Sequence, residues 1–96
     1  MKRLDPIPPG EILLDEFLVP LGISQNRLAS DIDVPVSRVA GIVTGTRAIT
    51  ADTALRLGEY FGTSPELWMN LQASYEMRLA RQTYWPEARA RIRARA

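Results

Sequence analysis

Residues 24–45, SQNRLASDIDVPVSRVAGIVTG, read as two short helices joined by a tight turn. The first places Leu28, Ala29 and Ile32 at i, i+1 and i+4; the second places Val36, Val39, Ala40 and Val43 at i, i+3, i+4 and i+7, the spacing of one helical face. Two such stripes need one shared core. Ala29 is small where two steeply crossing helices must approach, and Val34, Val39 and Ile42 fall where the inward wedge of a helix-turn-helix lies. Ser37, Arg38 and Gly41 are left outside. In such a unit the second helix enters the major groove and its N-terminal residues meet base edges, so the outward residues are the candidate readers. Asp33 holds the turn position usual for glycine, and aspartate tolerates a left-handed conformation better than most residues. Any small helical bundle is written with the same two stripes. DNA is favoured by the small residue at the crossing, by Gln25 at the start of the first helix and by the Thr44-Gly45-Thr46-Arg47 exit, each suited to a phosphate-facing position.

The totals narrow the function classes. At 96 residues with 46% hydrophobic content the chain reads as one domain with a single core that needs no covalent staple. It has no cysteine, which removes disulfides, thiolate metal sites and cysteine nucleophiles. It has no histidine either, the commonest general base and metal ligand. The acids Asp15-Glu16 and Asp31/Asp33 read as solvated faces, so no enzyme activity, metal or cofactor is expected. No apolar run nears the roughly 20 residues that span a bilayer, and no charged-apolar-small segment opens the chain. A cytoplasmic protein with no membrane partner is the expectation.

The net charge of +1 conceals an asymmetry. Six positive charges against ten negative ones leave residues 1–77 at −4, whereas six arginines against Glu87 leave residues 78–96 at +5. Such a basic tail suggests an interaction with nucleic acid or with an acidic partner. The acidic balance of residues 1–77 also keeps open a pure protein-interaction module.

Around the motif the chain punctuates itself. Residues 1–9, MKRLDPIPP, hold three prolines and read as an extended N-terminal arm. Pro9-Gly10-Glu11 opens a first helix that runs through Val19 and is ended by Pro20 and Gly22, and Ser24 caps the next. After the motif, residues 45–49 connect to Thr50, the cap of a fourth helix that buries Ala54, Leu57, Gly58 and Phe61 and stops at Gly62. Ser64-Pro65-Glu66 starts a fifth, whose Trp68, Leu71, Tyr75 and Leu79 form a stripe for core or dimer contact. Pro86-Glu87 starts a sixth through Arg95, favoured over a strand because alanine and arginine are strong helix formers. The expected fold is all-α: a compact five-helix body, an extended N-terminal arm and a C-terminal sixth helix that packs on something.

Three stretches carry a family resemblance: Pro9-Gly10-Glu11-Ile12-Leu13, SQNRLA at 24–29, and GTRAITADTALRLGEYFGTSPELWMNLQASYE at 45–76. The third is the most specific. On these residues the chain resembles the HigA-type antitoxins, small helix-turn-helix proteins of the phage-repressor-like class, over nearly its whole length. The resemblance implies a single lambda-repressor-like helix-turn-helix domain, 1–96, in a type II toxin-antitoxin system. It implies a homodimer that binds double-stranded operator DNA to repress its own operon and that neutralises a cognate HigB-like toxin, a RelE-like mRNA interferase. The alternative is a solitary helix-turn-helix regulator with no toxin partner.

Carried over residue by residue, the family pattern points to Gln25 for phosphate contact and to Val36, Ser37, Arg38 and Gly41 as groove-facing. Gly41 has no side chain to offer and Val36 offers only apolar contact, so base reading falls on Ser37 and Arg38. An arginine fork can take guanine O6 and N7 together. Thr44, Thr46 and Arg47 follow where the chain should pass the sugar-phosphate backbone and are assigned to positioning.

Overall fold

Six helices organise the described residues, 5–95, of the computed structural model, with no strand among them. The first, α1, begins at Pro9–Ile12, continues as a π-helical segment Leu13–Leu18 and closes with Val19–Leu21. The others are α2 (Gln25–Asp31), α3 (Val36–Thr44), α4 (Ala51–Phe61), α5 (Pro65–Gln82) and α6 (Trp85–Ala90). The arm read at residues 1–9 is non-helical over 5–8, and residues 1–4 lie outside the described ones. No helix among the described residues is long and apolar enough to cross a membrane.

Local chemistry sets most of these limits. Ser24, Thr50 and Ser64 stand in extended conformation and each accepts the backbone N–H three residues on, from Arg27, Thr53 and Leu67, at 3.0, 3.4 and 3.2 Å. Asp33 turns the chain between α2 and α3 at φ 61°, in the left-handed region its position required.

Pro20 departs from the sequence reading, because it stands inside the last turn of α1 instead of ending it. A proline lacks the N–H that an α-helix uses and collides with the carbonyl four residues back. The π segment bonds i to i+5 and closes with the Val19 N–H on the Leu14 carbonyl, so the wide ladder stops where proline has nothing to donate. Its wider turn also brings Leu13 and Leu18, five positions apart and both 1% exposed, onto one buried face. Gly22 then ends the helix left-handed, with the Ile23 N–H reaching back to Leu18 O at 2.9 Å.

Both stripes of the motif reach one core. Leu28, Ala29 and Ile32 of the α2 side meet Val39 and Ile42 of α3, together with Leu13, Leu18, Ile49, Ala54, Leu57 and Trp68. α1 lies directly on α3 at Gly10, where an added Cβ would overlap the carbonyl oxygen of Ile42 and come within 2.8 Å of Val43 Cα. Gln72, absent from the apolar stripe, is buried and accepts the Ile49 N–H at 2.9 Å while donating to Glu76 at 2.8 Å. That pins the connection between α3 and α4.

α5 leaves this body partway along its length. Trp68 is fully buried and Leu71 and Tyr75 are half-buried, but Leu79 is 40% exposed, so the expected stripe is core only near its start. The radius of gyration, 16.0 Å, exceeds the about 12–13 Å of a compact chain this long, because the end of α5, α6 and the tail project. The sixth helix expected through Arg95 stops at Ala90, and residues 91–95 are exposed instead of packed. Arginine at every second position puts charge on two opposite faces of a helix, leaving only narrow strips of alanine and Ile92 between them to dock.

Candidate nucleic-acid interface

α3 turns one face into the core and the start of its other face outward. Val39 and Ile42 are 2% and 3% exposed, with Val34 and Val43 half-buried beside them. Val36, whose spacing put it in the apolar stripe, is 45% exposed next to the exposed Ser37. The residue that caps α3 is Pro35, which has no side-chain acceptor, so the first turn carries no side-chain cap and only the Arg38 N–H turns back, onto the Pro35 carbonyl at 3.0 Å. Ser37 sits inside the helix and does not cap it.

Arg38 is more occupied than its position in the sequence suggests. Its Nη1 donates to Asp52 Oδ2 at 2.6 Å, and the same oxygen accepts Arg56 Nε at 3.0 Å. Arg56 Nη1 in turn donates to the carbonyls of Ile32 and Asp33, at 2.9 and 3.2 Å, closing a chain from α3 through α4 to the turn. The Arg38 side chain keeps 29% of its surface exposed. It lines a shallow recess with Arg47, Ala48, Thr50 and Thr53, so the fold brings the two arginines to one place.

The exit from α3 folds back on the helix end. Thr44 Oγ1 donates to Ala40 O at 3.0 Å and lies 3.2 Å from Thr46 Oγ1, while the Thr46 and Arg47 N–H groups both reach Gly41 O, at 2.9 and 3.0 Å. Gly41, read as groove-facing, lies half-buried beneath this loop, where an added Cβ would stand 3.0 Å from Arg47 Cβ. Its lack of a side chain serves this close approach. Arg47 itself is exposed, and among the described residues its side chain makes no hydrogen bond. Gln25 is half-buried as the first residue of α2, and Arg27 pairs with Asp31 at 2.9 Å.

The residues that sequence reasoning passed over are Asp52 and Arg56. Their i, i+4 spacing on a helix was the available signal, since such a pair faces one way. The Arg38 hydrogen bond, and after it that of Arg56, holds the Asp52 carboxyl below its ordinary value. The Tyr60 hydroxyl, donating at 2.8 Å, does the same for Asp31 with help from Arg27. Carboxylates held low in the folded chain contribute stability above the unfolded value of about 3.9, and that contribution is lost as pH falls through the lower folded values. Acid below the ordinary carboxylate range therefore loosens the α2–α4 and α3–α4 ties through these two groups.

Comparison with known proteins bears on the same stretch. Residues 14–68 match the family described as Helix-turn-helix. The chain is 49% identical over 81 residues to Virulence-associated protein I of Dichelobacter nodosus, covering 84% of this chain and 75% of that protein. It is 34% identical over 84 residues to Antitoxin HigA-1 of Vibrio cholerae, covering 88% and 79%. Among solved structures, the Pseudomonas aeruginosa antitoxin HigA with higBA promoter superposes with a TM-score of 0.90 at 43% identity, over 95% of this chain and 99% of that one.

Proposed function

The chain belongs to the HigA-type antitoxins of the helix-turn-helix family, and from that premise we propose that it binds operator DNA as a homodimer, represses its own operon and neutralises a HigB-like mRNA interferase. The observation that carries the DNA part is the first turn of α3, which has no side-chain cap and exposes Val36 and Ser37, with Arg38 and Arg47 lining one recess. In this reading α3 enters the major groove, with Ser37 and Arg38 on base edges and Val36 on a thymine methyl. Gln25, Thr44, Thr46 and Arg47 meet the sugar-phosphate backbone, and Gly41 lets the 46–47 segment lie close to α3. Two recognition helices of a two-fold dimer would sit about 34 Å apart, one turn of duplex.

The two arginines separate reading from positioning. Arg38→Ala is expected to cost roughly 1–3 kcal/mol of operator affinity, and Arg47→Ala to weaken all DNA about equally and lower the salt slope by about one. Titration of duplexes from the upstream region of the gene, by fluorescence anisotropy at several salt concentrations, checks both. Operator affinity unchanged in both variants would remove α3 from the groove.

Toxin neutralisation is tested by growth after induction of the small reading frame next to this gene, with and without this protein. Arrest relieved by co-expression supports the antitoxin activity. Absence of arrest or of rescue reduces the reading to a solitary regulator.

A further inference from the structure

We infer that Asp52 is a positioning residue for sequence readout: from the first turn of α4 it holds the Arg38 fork in place beside α3, an assignment that rests on the operator-binding reading above. Arg38 is a long side chain whose rotamers would otherwise have to be frozen at the moment of binding. In this fold it is already held. The Asp52 Oδ2 that takes Arg38 Nη1 at 2.6 Å is itself fixed by Arg56 Nε at 3.0 Å. Arg56 is anchored in turn on the carbonyls of Ile32 and Asp33. The anchor is therefore the motif's own turn.

Asp52 also lies in the first turn of α4, where the helix dipole favours a negative charge, so the carboxylate has a reason to stay where it is. The tie does not exhaust Arg38. A guanidinium has five N–H donors in a rigid plane, and the hydrogen bond to Asp52 uses one of them, on Nη1. The remaining donors keep a fixed direction and the side chain keeps 29% of its surface open. Arg47, exposed and without a hydrogen-bond partner among the described residues, has no such constraint, which suits phosphate contact and not reading.

The charge of Asp52 makes the assignment separable from a general effect. Removing a negative charge near DNA raises affinity for every sequence, whereas releasing the reading arginine lowers discrimination at the base pairs it contacts. The two effects have opposite signs.

The experiment selects a randomised 30-base-pair duplex pool with the wild-type protein, Asp52→Asn, Asp52→Glu and Arg38→Ala, and sequences the bound fraction. Expected for Asp52→Asn is a motif whose contrast falls roughly tenfold at the positions that Arg38→Ala also erases, with the other positions kept and affinity for a scrambled duplex equal or higher. Asp52→Glu, which keeps the charge and moves it by one methylene, retains those positions at reduced contrast. It also serves if Asp52→Asn folds poorly. A wild-type motif that survives intact in Asp52→Asn, or sharpens because Arg38 has been freed, overturns the assignment alone. A wild-type pool with no motif overturns operator binding and the assignment with it.

Discussion

Gly10→Ala is expected to destabilise the protein by about 3 kcal/mol or more, the upper end of what overpacking costs. The methyl group would overlap the carbonyl oxygen of Ile42 and come within 2.6 Å of its carbonyl carbon. These neighbours are backbone. No rotamer change relieves such a contact, so α1 must slide off α3, taking Leu13 and Leu18 out of register with the core. For a domain whose whole stability is roughly 5–15 kcal/mol, this is a large share. Thermal unfolding followed by circular dichroism should show a midpoint lower by about 12 °C or more. Gly22→Ala is the control, since an added Cβ there has nothing within 4 Å and its cost is the left-handed conformation alone, about 1–2 kcal/mol. A Gly10→Ala midpoint within 3 °C of wild type would mean that α1 and α3 do not meet this closely.

Trp68→Ala is expected to cost about 3–5 kcal/mol. The indole is fully buried, tilted against Phe17 and Phe61 with centroids 4.9 and 6.1 Å away, and its Nε1 donates to Thr63 Oγ1 at 2.9 Å. Alanine would open a cavity where α1, α4 and α5 meet and remove the donor to the Thr63 hydroxyl. Trp68→Phe separates the two losses, because it keeps an aromatic ring against Phe17 and gives up the hydrogen bond, at about 0.5–1.5 kcal/mol plus a smaller void. Urea midpoints at equal slope measure both. An alanine variant no weaker than the phenylalanine one would show that the cavity collapses at little cost.

The helix-turn-helix was legible in the sequence because its signals are local. Leu28, Ala29 and Ile32 are buried as their spacing required, and so are Val39 and Ile42. Val36 shows the limit of that signal. Its spacing fits the stripe, yet it stands 45% exposed, since periodicity gives a face and not how far the neighbouring helix reaches along it. Gly41 shows the same limit from the other side. A missing side chain on an outward position reads as a gap in a binding surface, and only the path of residues 44–47 reveals that the space is filled.

What the sequence determined by itself lies within a turn or two of chain: the serine and threonine caps at Ser24, Thr50 and Ser64, the left-handed Asp33, the glycine stops, and the absence of cysteine and histidine. Each rests on a hydrogen bond or a backbone preference between residues at most a few positions apart, which any correct helix assignment brings together. What the tertiary structure decided spans longer separations. Gly10 against Ile42, Gln72 on Ile49, and the Arg38–Asp52–Arg56 chain closing on the turn all depend on how the helices cross. Crossing geometry is set by the packing of many side chains at once, and no single stretch of sequence carries it.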